Sequence, residues 1–411
     1  MKKNIDKSRW KQKFFTIAAG QTVSLIGSSA VQFALIWWLA VKTDSAFMLA
    51  LAGLVAFLPQ IFLGPFAGVW IDRLKRKQVI IAADLFMGLV AAVFAVFLWR
   101  CNPPYWSVCV VLGVRAVGNV FHTPAIQSVI PQLVPSDKLV NANGWSQFMQ
   151  SGAFMLGPVL GAAMYAALPM PVILLTDFLG AVVASLAVLA VKIPEPEHDA
   201  QKSPHFFREM AEGAKILMGD KALLRLIVAS TISMVFFLPL SSYYPLMSSS
   251  YFSASAWHGS VVELVYALGM MISSVLFGSL GAVKNKLRMA YIGLFGMGTA
   301  CLVCGLLPAG MWAWSIFAFA CMVMGASGNV YNIPCVAYMQ ETIPPEALGR
   351  AFSLIGSLMS IAMPVGLILS SPVAEIWGVR LWFFISGIGV LAAAILCGAG
   401  RKPANKSGKT V

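Results

Sequence analysis

Charged residues are what this sequence has least of. Only 11% of its 411 residues are charged, whereas soluble domains carry roughly 25%, and hydrophobic residues make up 59%. This composition excludes a soluble globular enzyme, a disordered protein and a nucleic-acid-binding protein, although the formal net charge is +13. The sequence therefore predicts a protein of the lipid bilayer that has no nucleic-acid partner.

The sequence also lacks the motifs of ATP hydrolysis and of common enzymes. It contains four histidines and has no G-x-x-x-x-G-K-[ST], no HExxH and no G-x-S-x-G. We therefore expect a protein that is not an enzyme, that needs no cofactor or metal, and that takes energy from an ion gradient. Cys301 and Cys304 form a C-x-x-C inside an apolar run, which favours packing over redox or metal chemistry.

Long apolar runs predict an all-α membrane protein with twelve transmembrane helices. Each crossing needs roughly 20 mostly apolar residues, and the first run is too long for a cleaved signal peptide. Basic residues in the loops set the orientation, because they are enriched on the cytoplasmic side. One side carries 25 of them and the other three, so we expect a multi-pass protein of a bacterial-type cell membrane with both termini cytoplasmic. The predicted spans are 14–41, 46–71, 78–99, 104–130, 139–167, 171–191, 222–247, 258–282, 287–307, 312–338, 351–373 and 381–399.

An internal repeat relates the two halves of the chain. Residues 118–124 (GNVFHTP) reappear as 328–334 (GNVYNIP), an offset of 210. An offset near half the chain length predicts two pseudo-symmetric six-helix bundles, with the binding site between them near the membrane midplane. The predicted division is an N-terminal bundle at 1–191, a cytoplasmic linker at 192–221 and a C-terminal bundle at 222–411.

The loop after the second span has a specific pattern, G-x-x-x-D-R-x-x-R-K. At this place it resembles the signature of the major facilitator superfamily, and the resemblance implies that the loop latches to neighbouring helix ends. An acid near a helix end can bind dipoles and basic groups, and breaking that contact separates two conformations. The alternative is a topology signal alone. The latch residues are Gly68, Asp72, Arg73, Arg76 and Lys77.

Two further motifs resemble those of drug–proton antiporters in the same superfamily. Arg115 and Gly118 form the R-x-x-G of the fourth span, and the resemblance implies a role for Arg115 in proton transfer. Gly157, Pro158 and Gly161 form the core of the antiporter motif, although Ala replaces two of its expected glycines. The alternatives are an arginine that binds carbonyls of a neighbouring helix, and glycines that serve close helix packing. In either case a buried Arg115 should have a partner.

Within this superfamily the chain most resembles the macrolide-efflux (Mef-type) branch. The stretches that carry this resemblance are residues 18–26, 121–125, 207–213 and 348–354. This resemblance implies a monomeric proton antiporter that exports hydrophobic or amphipathic drugs by alternating access, with macrolide-type antibiotics as the leading substrate. One alternative is a related exporter of a siderophore, a lipid or another antibiotic. Another is a membrane partner protein that transports nothing.

Three acids lie inside predicted spans, namely Asp84, Asp177 and Glu263. With Arg115 they are the proton-coupling candidates, because an acid in an apolar pocket can take up and release a proton. Asp84 could instead pair with the basic loop nearby, and Asp177 could act at a helix cap or the lipid interface. Glu263 has Tyr266 on its own helical face, which would suit a cationic, hydrophobic ligand.

Polar and aromatic side chains on several spans are candidates to line a substrate cavity. Amides, hydroxyls and aromatics on an apolar wall suit large amphipathic molecules. For any one of them, hydrogen bonding between helices is the alternative. The candidates are Gln21, Ser24, Ser28, Gln32, Asn119, His122, Gln147, Gln150, Phe236, Phe237, Tyr266, Asn329 and Asn332.

Overall fold

The structure is a computed structural model that describes residues 9–43, 46–101, 103–194, 206–254, 256–280 and 283–398. These residues form fourteen α-helices and no strand, which confirms the all-α class. The helices are α1 (Trp10–Thr43), α2 (Ala46–Arg73), α3 (Arg76–Arg100), α4 (Ser107–Leu133), α5 (Leu139–Ala167), α6 (Met170–Ala190), α7 (Phe206–Gly219), α8 (Lys221–Phe237), α9 (Leu240–Leu246), α10 (Ala256–Leu280), α11 (Lys286–Leu306), α12 (Met311–Thr342), α13 (Leu348–Trp377) and α14 (Val379–Gly398).

Ten helices in the described part of the chain are long and apolar enough to cross a membrane. Two predicted spans are not among them. The fifth, α5, carries several amides near its start, which lower its hydropathy. The seventh is divided into α8 and α9, because Pro239 has no amide hydrogen with which to continue the helix of α8. The count of twelve therefore stays a prediction.

The chain forms two compact units. The first contains Met1–Ile216, Ser274–Ala282 and Met339–Ile361, and the second contains Leu217–Ser273, Val283–Tyr338 and Ala362–Val411. The predicted bundles follow chain order instead, and that division stays a prediction. Residues 195–205 of the predicted linker lie outside the described residues.

The helices of the first unit pack against one another in pairs. α1 packs on α5 and α6, α3 on α6 and α4, and α2 on α4. Leu35 and Leu39 of α1 meet Ile173 and Leu174 of α6 in a core from which solvent is excluded. In such a core a polar side chain is stable only where another polar group faces it, because an unpaired buried polar group costs free energy.

The glycines of the predicted antiporter motif lie where α5 meets α1. A Cβ added at Gly161 would lie 2.5 Å from the carbonyl oxygen of Ala30, and Gly157 packs on Ser29. Both glycines are buried, whereas Pro158 inside the helix is exposed. These contacts are those of close helix packing, the alternative considered for the two glycines.

The second unit has an aromatic and sulfur-rich core. Phe317 and Phe383 are fully buried, and their ring centroids are 5.6 Å apart. Cys301 and Cys304 are fully buried free thiols in the same core, where Cys301 Sγ lies 3.3 Å from the sulfur of Met324. Their place in the core agrees with the packing role expected for this C-x-x-C.

Replacing Gly161 by Val should destabilise the protein, because the new side chain would overlap the backbone of α1. Overpacking of this kind costs about 1–3 kcal/mol. The measurement is thermal unfolding of the purified protein in detergent. Gly152→Val on the same helix is the control, since a Cβ there meets nothing within 4 Å. Equal losses in the two variants would contradict the packing interpretation.

Candidate functional site

Two buried polar clusters lie inside the first unit, and the first is centred on Arg115. The Nη2 of Arg115 on α4 lies 2.8 Å from the Oδ2 of Asp177 on α6. Ser28 on α1 donates a hydrogen bond of 2.5 Å to the Oδ1 of Asp177. Arg115 is 7% exposed and Asp177 2%. We call Ser28, Arg115 and Asp177 the Arg115 cluster.

The contacts in the Arg115 cluster argue against two alternatives considered from the sequence, one for Arg115 and one for Asp177. Arg115 pairs with a carboxylate rather than with helix carbonyls, and this confirms that it has a partner in the interior. Asp177 is buried between helices rather than placed at a helix cap or the lipid interface. The reason is that the eighth position along α6 turns Asp177 toward α1 and α4 rather than outward.

The Arg115–Asp177 pair does not use all of its hydrogen-bonding capacity. Its nitrogen–oxygen distance is that of an ion pair, but the two groups are not aligned as a hydrogen bond. The Nη1 of Arg115 is buried and has no hydrogen-bond partner among the described residues. A buried ion pair that lacks some of its hydrogen bonds adds little to the stability of the protein. Removing one partner nevertheless destabilises the protein strongly, because it leaves the other charge buried and unpaired.

The second cluster joins Asp84 of α3 to Gln21 of α1 and His122 of α4. Gln21 Nε2 donates to Asp84 Oδ2 at 2.8 Å. His122 Nε2 lies 3.2 Å from Asp84 Oδ1 and 3.0 Å from Gln21 Oε1. We call these three residues the Asp84 cluster. The suggested pairing of Asp84 with the basic loop is wrong, because α3 directs this carboxylate toward α1 and α4.

The two clusters lie along the same pair of helices. Ser28 follows Gln21 by seven residues on α1, and His122 follows Arg115 by seven on α4. Seven residues are two helical turns, so the clusters are about 10 Å apart along the helix axes. Asn119, predicted on the face of Arg115 and His122, belongs to neither cluster. It is exposed and accepts a hydrogen bond from Thr123.

The loop after α2 makes a third polar site, at the start of α13. Asp72 accepts hydrogen bonds of 3.0 Å from the backbone amides of Gly349 and Arg350, and one of 3.2 Å from the Nε of Arg350. Arg76 also donates to Asp72 at 3.2 Å. The carboxylate thus binds free amides and the positive end of the α13 dipole. The latch predicted from the sequence has the geometry of a helix-terminus contact.

The other predicted latch residues have separate positions. Gly68 lets α2 approach α13 closely, because a Cβ there would lie 2.6 Å from the Cα of Arg350. Arg76 also donates to the carbonyls of Ser128 and Pro345. Lys77 donates to carbonyl oxygens at the end of α6, and Arg73 is exposed.

Arg350 is a site residue that the sequence reasoning missed. The eleventh span was predicted to begin at 351, which placed Arg350 in a loop. α13 begins at Leu348 instead, so Arg350 lies in its first turn and is 6% exposed. Arg350 directly precedes an apolar run, and this position is the signal that could have placed it in the first turn of a helix.

The remaining candidates of the first unit lie outside both clusters. Ser24 is buried and faces Gly180, whose added Cβ would lie 3.3 Å from the Cα of Ser24. Gln147 is half-buried, while Gln32 and Gln150 are exposed.

The candidates of the second unit mostly make contacts between helices. Asn329 donates a hydrogen bond of 2.9 Å to the carbonyl of Met270, and the ring of Phe236 stacks on Trp382 at 6.0 Å. Tyr266 lies 6.0 Å from the ring of Tyr244. Phe237 and Asn332 are half-buried.

Glu263 on α10 is exposed. Within the described residues, no three His, Cys, Asp or Glu side chains are grouped so that they could hold a metal ion.

Comparison with known proteins identifies the family. The sequence profile of the Major Facilitator Superfamily matches residues 17–314 and 252–410. The chain belongs to this superfamily. It is a multi-pass membrane transporter and not an enzyme. The E. coli fucose:proton symporter has the same fold, with a TM-score of 0.76, 12% identity and coverage of 96% of this chain and 99% of that one.

Two relatives indicate the branch within the superfamily. Macrolide efflux protein A of Streptococcus pyogenes is 40% identical over 391 residues, which cover 95% of this chain and 96% of the relative. Multidrug efflux pump Tap of Mycobacterium tuberculosis is 25% identical over 392 residues, which cover 92% and 88%. The resemblance to the macrolide-efflux branch is therefore confirmed.

Replacing Asp72 by Asn should loosen the start of α13, because the charge-assisted hydrogen bonds to its amides weaken. Weakening these hydrogen bonds by about 1.5–3 kcal/mol corresponds to roughly 10–150-fold faster amide hydrogen exchange. The measurement is exchange at Gly349 and Arg350 by mass spectrometry. Asp137→Asn is the control, since the Asp137 side chain is 66% exposed. Unchanged exchange in the Asp72 variant would contradict the contact.

Replacing Arg115 by Ala should destabilise the protein by about 3–5 kcal/mol, because Asp177 would be left charged and unpaired in the interior. Adding Asp177→Ala to this variant should restore part of the loss. The measurement is thermal unfolding of the wild type, both single variants and the double variant. Simple additivity of the two single effects would show that the residues do not interact.

Proposed function

We propose that this transporter exports hydrophobic and amphipathic drugs by proton antiport, with macrolide-type antibiotics as the leading substrate. The observation that carries the proposal is 40% identity to macrolide efflux protein A of Streptococcus pyogenes over 95% of the chain. In this proposal the proton gradient across the plasma membrane is the energy source, both termini are cytoplasmic and the protein acts as a monomer by alternating access.

The Arg115 cluster is the proposed site of coupling. When Asp177 is ionised it balances the charge of Arg115, and a proton on Asp177 leaves that charge unbalanced in a region of low dielectric. An uncompensated charge there costs several kcal/mol, which is enough to change the balance between two conformations. The buried Nη1 of Arg115 supports this role, because an unpaired donor is ready for a ligand or water that enters the site.

The Asp72 contact is the proposed conformational latch. Its hydrogen bonds to the amides of Gly349 and Arg350 depend on α2 and α13 being close together. Separation of the two helices would expose a carboxylate and a helix terminus that now satisfy each other. The latch therefore favours one conformation of the transport cycle, and proton binding at the Arg115 cluster must offset the free energy needed to open it.

The cavity residues and Glu263 remain candidates for contact with the substrate. Glu263 is exposed on α10, and a carboxylate there would suit the cationic amino group of a macrolide. Gln32, Asn119 and Gln150 are exposed polar groups on spans of the first unit, and they offer hydrogen bonds to the oxygen-rich surface of such a molecule.

Cells that express the protein in a pump-deficient host should accumulate less radiolabelled erythromycin than cells with an empty vector. A protonophore should abolish the difference, because the gradient is the energy source. Asp177→Asn should reduce export at least about 10-fold, since that carboxylate can no longer exchange a proton. Asp137→Asn is the matched control. Equal accumulation with and without the protein would contradict the macrolide proposal.

A broader drug range is the second candidate, and the similarity to multidrug efflux pump Tap favours it. A resistance panel in the same host separates the two. Resistance limited to macrolides supports the first candidate, and resistance to several unrelated drugs supports the second. Siderophore or lipid export would give neither result.

A further inference from the structure

The Asp84 cluster contains two groups that can bind protons, and the coupling proposed for Arg115 and Asp177 does not use them. Asp84 has a side chain that is 2% exposed, whereas that of His122 is 17% exposed. His122 is therefore the titratable member of the cluster with access to the surroundings. Asp84 lies behind it, between α1, α3 and α4.

The hydrogen positions in this cluster follow from the groups that meet there. His122 Nε2 faces two oxygens, Oε1 of Gln21 and Oδ1 of Asp84. An amide oxygen and an ionised carboxylate only accept hydrogen bonds, so Nε2 must carry the hydrogen. Nδ1 of His122 has no partner in the described part of the chain, so a further proton can bind there.

We propose that His122 and Asp84 form a second proton-binding site, which exchanges protons with the surroundings through His122. Gln21 is hydrogen-bonded to both residues of this site. A proton binds Nδ1 of the neutral imidazole, and the hydrogen on Nε2 then moves to Oδ1 of Asp84. The products are a neutral imidazole and a neutral carboxylic acid, so charge and protons balance. The transport role of this site rests on the proton antiport proposed above, whereas its proton binding does not.

Gln21 gives this site a connection to α1. With Asp84 ionised, the amide nitrogen of Gln21 faces the carboxylate and its oxygen faces His122. After the proton has moved, Nε2 of His122 is an acceptor and Asp84 is a donor. Oδ2 of Asp84 still accepts from the amide nitrogen of Gln21. The amide oxygen of Gln21, however, then faces a ring nitrogen without a hydrogen, so its hydrogen bond with His122 is lost. Protonation on α3 and α4 thus changes a contact of α1, the helix that also carries Ser28 of the Arg115 cluster.

Few other charges face the Asp84 cluster. α1 has none between Lys13 and Lys42, and α5 has none at all. The remaining charged residues on the helices packed around it lie about two turns away or more, in the Arg115 cluster or at the ends of α2 and α3. They are Arg115, Asp177, Asp72, Arg73, Lys75, Arg76, Lys77 and Arg100.

The first test measures proton binding without transport. The full-length protein is purified with isotope-labelled histidine, and the His122 resonance is identified by its loss in His122→Gln. We expect acidification to change the ring from the Nε2–H to the Nδ1–H tautomer, because the hydrogen on Nε2 moves to Asp84. In Asp84→Asn this change should be lost, because no carboxylate is present to take the hydrogen. Asp177→Asn should keep it. A His122 whose tautomer does not change with pH, or changes identically in Asp84→Asn, would overturn the proposal.

The second test measures coupling in proteoliposomes with tritium-labelled erythromycin. The ratio of gradient-driven transport to exchange without a gradient should fall about 10-fold in His122→Gln. It should stay unchanged in His258→Gln, the control, because His258 lies on α10 with its ring 4.6 Å from that of Trp314. Equal ratios in these variants would overturn the coupling role. If the wild type carries no erythromycin, the proposed substrate is wrong, and the His122 resonance alone decides whether the second proton site exists.

Discussion

The pairing of Arg115 with Asp177 is the interaction on which the interior of the first unit depends. A charge without a partner in an apolar interior costs much free energy. Without its partner, Arg115 would favour a rotation of α4 that exposes it, and Asp177 a rotation of α6 that exposes it. Together with Ser28 they fix the rotation of α1, α4 and α6 about their axes. Gln21 and His122 lie two helical turns from Ser28 and Arg115, so the same helix rotation directs them toward Asp84.

The need of a buried charge for a partner is met differently at the start of α13. There Asp72 is satisfied mostly by backbone amides that a helix terminus leaves without partners, and Arg350 and Arg76 add charge to the contact. A helix terminus is a fixed group, so this contact is gained or lost as a whole when helices move. The buried clusters, by contrast, are held together by side chains alone. The molecule therefore satisfies its interior charges in two ways, with side-chain partners between helices and with the amides of a helix terminus.

Much of this arrangement could be predicted from the sequence, because bilayer chemistry leaves strong signals. Apolar runs revealed the helical class, and the rarity of charge within them made Arg115, Asp84 and Asp177 conspicuous. The G-x-x-x-D-R-x-x-R-K loop identified Asp72. Partners were harder to predict, since Asp84 and His122 are 38 residues apart in the chain and Asp72 and Arg350 are 278 apart. Helix rotation and pairing decide such contacts, and neither can be read from a single hydropathy pattern.

The amino-acid sequence by itself determined that this protein is an all-α membrane transporter, where its interior charges lie and which loop carries the latch motif. Burial in an apolar medium makes those features depend on local composition alone. Only the tertiary structure decided that Asp84 meets Gln21 and His122, that Asp177 meets Arg115, and that Arg350 meets Asp72. A buried polar group has to be satisfied by whatever polar group faces it, and which groups face each other is set by the packing of helices that are distant in the chain.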